Sequence, residues 1–425
     1  MSNPLPVAGG RRRGRRHWQF VIAVLAGICV GQEFLFRLLF PLPEVGGFNR
    51  VRYQKLAPGD PRTAPLINRG LAYERVKFES LPDGFSEIHR LNVYGFRGGD
   101  FSIEPKPGRR RILMLGDSFV EGQGAPERDT IPSLLTGLLA SDGTPAEVIN
   151  LGVVAASLTD MTLLARDAVP LLHPQDVILV LYANDLPALP YPRAFDEPGA
   201  EFPRQVWPAM PRLLDLLFRV ANDEPIYRRW PPRPVISFFQ PVPDGANPWT
   251  EVDAAPAGLA PDYYAAMREG RLNPWLWQQA RVLPGMLAHN FSQSDASPIR
   301  YFERIAALCQ AENARLLIAY VPFCGVVDRR YTPALVKMGM DPSVAEALCS
   351  DVIYRRQNEL LGQLCGDMNL SLADTTDALK QAELGGIPQF WDVDTHPRPA
   401  GYATIAGEIY GVFRRSQQAA ENQKK

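Results

Sequence analysis

Residues 111–124 read Arg-Ile-Leu-Met-Leu-Gly-Asp-Ser-Phe-Val-Glu-Gly-Gln-Gly. Arg111 to Leu115 form a short apolar run that stops at Gly116-Asp117-Ser118, as a buried strand does when it reaches a loop. The same punctuation recurs downstream. Thr130 to Leu139 carries Leu and Ile at helical spacing. Glu147 to Val154 reads as a second strand, Leu158 to Leu172 as a second helix, and Asp176 to Tyr182 (DVILVLY) as a strand apolar on both faces. Strands of that last kind belong in parallel sheets covered by helices on both sides.

Further along, Tyr301 to Ala311 reads as a helix, Arg315 to Val321 as a strand and Val344 to Met368 as one long helix. Leu370 to Ala373 follows as a short strand, then Thr375 to Ala382 and Ala400 to Phe413 as helices. Strands alternating with helices imply an open α/β sheet whose ligands bind at the carboxyl ends of the strands. The stretch 186–298 interrupts this order. It holds five of the seven tryptophans (Trp207, Trp230, Trp249, Trp275 and Trp277) and runs of proline, with one short amphipathic helix expected at Pro211 to Asn222. An interruption of that length in a compact domain is usually a lid or an inserted subdomain.

The N-terminus has a different character. Arg11, Arg12, Arg13, Arg15 and Arg16 precede an apolar run from Trp18 to Gly31, and a second apolar stretch extends to Phe40. Together these supply about the 20 residues that a helix needs to span a bilayer. Clustered arginines stay cytoplasmic, so a signal anchor would export the rest of the chain. A cleaved signal peptide is the rival, against which stands the lack of a small-x-small site after the apolar run. The expected organisation is a basic segment 1–17, an anchor 18–40, a stalk and lead-in 41–108, a catalytic domain 109–415 carrying the insertion 186–298, and a polar tail 416–425. The net charge of −1 gives no reason to expect nucleic acid as a partner. For the four downstream cysteines in an exported domain, the expectation is Cys324–Cys349 and Cys309–Cys365 disulfides, set against four separate buried thiols. No CxxC or Cys/His cluster has metal spacing, so no zinc site is expected.

Four short segments at expected strand ends carry chemistry. Ser118 would be exposed at the end of the first strand, where a neighbouring base could take its proton. Asn150-Leu151-Gly152 ends the second strand, and a glycine there lets backbone approach a substrate and donate an N–H. Ala183-Asn184-Asp185 ends the third; an Asn amide is a neutral oxyanion donor. The fourth is Asp392-Val393-Asp394-Thr395-His396-Pro397, before the last helix. Of the five histidines, His396 is the one in an aspartate-rich loop at such a position. A base needs a carboxylate to fix its tautomer and stabilise its charged form.

In combination these segments resemble the SGNH (GDSL) hydrolase superfamily, whose members carry a Ser block, a Gly block, an Asn block and a C-terminal Asp/His block in that order. Here they are 111–124, Val148 to Gly152, Leu181 to Leu186 (LYANDL) and Asp392 to Gly401 (DVDTHPRPAG), with a lead-in at Leu91 to Gly99. The resemblance implies a flavodoxin-like three-layer α/β/α fold with a mostly parallel five-stranded sheet. It implies Ser118 as nucleophile, His396 as general base, and Ser118, Gly152 and Asn184 as the oxyanion hole, with no cofactor and no metal. Two positions depart from the family pattern. Tyr182 stands where the third block usually has glycine, and Val393 stands three before His396 where an aspartate is usual. The shorter Asp-x-His spacing, similar to exopolysaccharide O-acetyltransferase relatives, makes Asp394 the expected orienting carboxylate and Asp392 the reserve. Asp117 and Asp185 read as loop-bracing residues.

The implied chemistry is acyl transfer through an acyl-enzyme, with water or a sugar hydroxyl as acceptor. An anchored, extracytoplasmic domain would meet acyl esters of envelope or secreted glycans. A lipid esterase or thioesterase at the membrane surface, and a non-catalytic glycan-binding accessory protein, are the alternatives.

Overall fold

The computed structural model describes residues 18–28 and 31, 75–186, 258–289 and 297–423, apart from a few positions within those ranges. A hairpin comes first, β1 (Arg75–Ser80) antiparallel to β2 (Phe85–Arg90). The central sheet follows: β3 (Arg110–Gly116), β4 (Ala146–Gly152), β5 (Asp176–Tyr182), β6 (Arg315–Val321) and β7 (Ser371–Asp374). Its spatial order is β4-β3-β5-β6-β7 and every pairing is parallel. Counted within the sheet, that is the 2-1-3-4-5 flavodoxin-like order, with its switch point between the first and third strands, where ligands bind. The flavodoxin-like three-layer α/β/α fold with a five-stranded sheet expected from the sequence is thus the one observed.

Among the helices are α1 (Ser118–Glu121), α2 (Ile131–Ser141), α3 (Leu158–Leu172), α4 (Pro261–Arg268), α5 (Trp275–Ala288), α6 (Ser297–Ala311), α7 (Arg356–Asp367), α8 (Thr376–Leu384) and α9 (Pro399–Gln423). The chain leaves β3 toward β4 on one side and returns past it to β5 on the other. Right-handed crossovers then put α2 and α3 on opposite faces. α2 packs against α9, and α3 against α6. β5 is buried at all seven positions because helices cover both its faces. α3 starts where Ser157-Leu158-Thr159-Asp160 forms a capping box, with Asp160 accepting from the Ser157 N–H at 2.8 Å.

Several expectations change on contact with the structure. The helix expected over Val344 to Met368 is two helices, Pro342–Ala347 and α7, joined by a 3₁₀ turn. Asp351 accepts from the Ile353 N–H and starts a new turn there, the local competition by which Asp interrupts helices. α9 runs to Gln423 and takes in most of the expected polar tail. Residues 75–104, assigned to the stalk and lead-in, belong to the folded domain. The guanidinium of Arg111, which begins the first strand's apolar run, is fully buried and donates to the carbonyls of Ser102, Ile103 and Glu104 and to Glu147. Cys309, Cys324, Cys349 and Cys365 are free thiols, three of them buried, so the expected disulfides are not formed. Each of the buried three is packed in the apolar layers, and burial pushes the Cys309 thiol up to about 12.

Of the insertion, α4 and α5 are described; the helix expected at Pro211 to Asn222 and Trp207, Trp230 and Trp249 lie outside the described residues. Of the expected anchor, residues 18–28 are helical and residue 31 is described. Among the described residues no helix is long and apolar enough to cross a membrane.

Candidate active site

β3 delivers its carboxyl end to the switch point, and Ser118 is the first residue of the helix that follows. Gly116 permits the turn: a Cβ there would sit 2.3 Å from Val120 Cγ2 and 3.0 Å from the Val180 carbonyl. Asp117 caps α1, accepting from the Phe119 N–H at 2.9 Å. Ser118, at the start of that helix, has no intrahelical acceptor for its own N–H.

The loop after α8 brings His396 to the same point. Its ends are tied by the Trp391 N–H to the His396 carbonyl at 2.9 Å and the Thr395 N–H to the Trp391 carbonyl at 3.2 Å. The turn forces Thr395, a β-branched residue, to φ 66°. Such left-handed backbone costs on the order of 1–3 kcal/mol and persists where surroundings over-determine it. Here the surroundings include Asp83, in the β1–β2 turn, whose carboxylate accepts from the Val393 N–H at 2.9 Å and the Asp394 N–H at 2.8 Å.

His396 Nε2 lies 2.8 Å from Ser118 Oγ, and His396 Nδ1 lies 2.5 Å from Asp394 Oδ1. This is the contact that the SGNH resemblance implies. With Nδ1–H donating to Asp394, Nε2 is left to accept the serine proton. No family model matches the chain, and no curated protein matches it. Solved structures similar to it include an acetyl xylan esterase, AlAXEase (11% identity, 71% of this chain and 98% of that one, TM-score 0.35). TesA is another (11% identity, 72% of this chain and 99% of that one, TM-score 0.34). A third is a catalytic mutant of an acetylxylan esterase from Geobacillus stearothermophilus (12% identity, 72% and 96%, TM-score 0.35).

Asp394 is 1% exposed and touches the imidazole. Asp392 faces outward, with Arg330 at 3.5 Å and Arg398 at 3.7 Å, and makes no contact with the ring. Burial by itself lowers the His396 pKa, but the charge and hydrogen bond of Asp394, then Asp117 and Glu121, outweigh it and the net shift is upward. Burial pushes Asp117 up to about 6, against the opposing pull of the Phe119 N–H and of His396. Asp185 stands well above the carboxylate range, chiefly through burial and then through Asp117, while its carboxylate braces the turn by accepting from the Tyr182 N–H at 2.8 Å.

The oxyanion donors divide. Asn184 lines the cleft beside Ser118, and its amide makes no hydrogen bond among the described residues, so its NH2 is free to donate. Gly152 does not line the cleft. Its N–H donates to the Asn150 side chain at 2.9 Å, and a Cβ on it would sit 2.1 Å from the Glu121 N. The glycine ending β4 therefore serves close packing of α1 on the sheet, and the structure corrects its expected role as an oxyanion donor. Ser118 N–H and Asn184 remain.

The cleft, about 130 Å³, is walled by Val154 and Ala156 on one side and by Leu276 and Gln279 of α5 on another. Residues from the stretch expected as an insertion thus line the cleft. Tyr182 is buried, stacked on Phe119 with ring centroids 4.0 Å apart. Tyr182, which stands where the resemblance expects glycine, thus packs under α1 and lines the cleft. Among the described residues no group of His, Cys, Asp and Glu is arranged to hold a metal ion. Sequence reasoning missed Asp83. Leu81-Pro82-Asp83-Gly84 is a legible turn signal, but its partners lie some three hundred residues away.

Proposed function

We propose that this chain is an SGNH-type serine esterase working through an acyl-enzyme. The observation that carries the proposal is the unbroken relay Ser118 Oγ, His396 Nε2, His396 Nδ1, Asp394 Oδ1 at 2.8 and 2.5 Å. As Ser118 attacks an ester carbonyl, His396 takes its proton, and Asp394 stabilises the imidazolium. The Ser118 N–H and Asn184 NH2 receive the developing oxyanion. His396 then protonates the leaving alcohol, and water, activated by the same imidazole, releases the acyl group. A sugar hydroxyl in place of water makes the same site an O-acyltransferase, and the Asp-x-His spacing favours including that outcome.

The substrates proposed are short acyl esters, O-acetyl groups above all, of cell-envelope or secreted glycans. The domain is proposed to face the extracytoplasmic side of the cytoplasmic membrane, held by an anchor at 18–40; support comes from the arginine block followed by the apolar run. Ser118→Ala should abolish both hydrolysis of p-nitrophenyl acetate and labelling by a fluorophosphonate, since losing a triad nucleophile costs about 10⁶-fold in kcat in the best-studied serine protease. Wild-type protein that neither turns over the ester nor takes the label would refute the enzyme. Proteolysis of the catalytic domain in spheroplasts tests the topology, and full protection would overturn it.

A further inference from the structure

The loop that follows the nucleophile's helix is held from outside. Arg97 donates to the carbonyls of Glu121 (3.2 Å), Gly122 (2.5 Å) and Ala125 (2.7 Å). The Tyr402 hydroxyl donates to the Gln123 carbonyl at 2.7 Å, and the Trp391 indole N–H to the Gly124 carbonyl at 2.8 Å. Three side chains from three separate segments thus fix the backbone of 121–125. What they leave unsatisfied is the Gln123 side chain. It is 2% exposed, lines the cleft, and its amide has no hydrogen-bond partner among the described residues. That amide opens into the cleft, where a ligand hydroxyl can supply its partners. Gln279 of α5 also lines the cleft, half-buried and likewise without a hydrogen-bond partner among the described residues.

The charge of the cleft narrows what those amides can hold. Its described lining contains no Lys or Arg, and its acidic members are Asp117 and Asp185. An anionic alcohol, such as a uronate or a phosphorylated lipid, would meet carboxyl groups and no fixed cation. A neutral polyhydroxylated alcohol would meet two carboxamides, each able to donate and accept, the pattern that pairs with a hydroxyl on both sides.

We propose that Gln123 and Gln279 form the subsite for the leaving alcohol, and that they select esters of neutral sugars over esters of anionic or hydroxyl-free alcohols. The assignment depends on the site being an esterase. Ser118 attacks the acyl carbon between the oxyanion donors, and the sugar to which the acyl group is attached lies between the two amides. Its ester oxygen then takes the proton from His396 as the C–O bond breaks.

The test uses the full-length chain in detergent and three acetyl esters: p-nitrophenyl acetate, an acetylated methyl glucoside and the matching acetylated methyl glucuronide. Gln123→Leu and Gln279→Leu should each lower kcat/KM for the glucoside roughly five- to tenfold more than for the aryl ester, the loss of one neutral hydrogen bond. The wild type should favour the glucoside over the glucuronide by at least about tenfold, equivalent to 1.4 kcal/mol. Equal losses on glucoside and aryl ester in both variants, or equal rates on glucoside and glucuronide, would overturn the subsite. Gln279, on the face of a helix, keeps the test open if Gln123→Leu fails to fold, as judged by its melting curve. A wild type without activity on any of the three would instead remove the esterase reading itself.

Discussion

Replacing Asp83 with alanine tests whether a residue far from the chemistry holds the base in place. Its carboxylate accepts from two consecutive backbone N–H groups, Val393 and Asp394, at 2.9 and 2.8 Å, and from the Ser80 hydroxyl at 2.7 Å. Alanine would leave two buried donors unpaired, at about 1–3 kcal/mol each. Against this, burial and then the Asp394 charge raise the Asp83 pKa, so removing the carboxylate relieves some desolvation and repulsion. The net loss should be about 2–4 kcal/mol, lowering Tm by roughly 5–10 °C for a domain of this size. Release of the 393–394 backbone also frees the strained turn at Thr395 and lets His396 drift. A misplacement of about 1 Å in a catalytic group can cost 10²-fold, so kcat on p-nitrophenyl acetate should fall about 10- to 100-fold with little change in KM. Asp83→Asn, which keeps one accepting oxygen, should fall between. Because the folded-state pKa is raised, the carboxyl's linkage contribution is fully present below its unfolded value and is lost as pH rises through the folded one. The stability gap between wild type and Asp83→Ala should therefore be wider near pH 3 than at pH 7. Calorimetry and steady-state kinetics on the same samples decide the matter: an Asp83→Ala protein with wild-type Tm and kcat refutes the tether.

The other expectations concern the site itself. His396 must be neutral to act as base and its pKa is raised, so the acid limb of kcat/KM should lie above the ordinary histidine value. Asp394→Asn should move that limb to lower pH and reduce kcat by about 10³–10⁴-fold; a pH profile superimposable on wild type would argue against Asp394. Asn184→Ala should cost about 10²–10³-fold in kcat with KM nearly constant, as loss of one oxyanion donor does. Gly152→Ala, whose Cβ would strike the Glu121 backbone, should lower Tm by several degrees, and melting curves matching wild type would restore the glycine's candidacy as a donor. Asp117, raised to about 6 by burial, stabilises most below its unfolded pKa of 3.8 and loses that contribution as pH climbs through 6. Asp117→Asn should accordingly flatten the pH dependence of Tm between pH 4 and about 7, and a wild-type slope across that window would refute the assignment.

Local pattern carried a great deal in this chain. The doubly apolar run 176–182 and the run 315–321 emerge as β5 and β6 with those very bounds, because strands buried on both faces leave an uninterrupted hydrophobic signal. The order of Ser, Asn and Asp/His segments at strand ends fixed which side chains could meet. Asp394 was preferred over Asp392 because its Asp-x-His spacing resembles that of exopolysaccharide O-acetyltransferase relatives, and Asp394 is the carboxylate that touches the His396 ring. Where the sequence was misleading, the competing force was local or distant. Asp351 broke a helix that periodicity alone continued. Gly152 looked like an oxyanion donor because a glycine at a strand end serves close approach of a ligand or of a helix equally well, and no spacing distinguishes the two.

The chain's own pattern, then, determined the sheet and the order of the segments at its strand ends, since these follow from hydrophobic period and residue chemistry within short windows, while Ser118 and His396 were singled out by the family resemblance that those segments carry together. Tertiary structure alone decided that a hairpin turn at Asp83 braces the histidine loop, that α5 walls the cleft, that Gln123 is pinned and left unpartnered, and that four cysteines stay apart. Each of those depends on contacts between segments tens to hundreds of residues distant. Such contacts are set by how the layers pack, and packing leaves no period in the sequence to read.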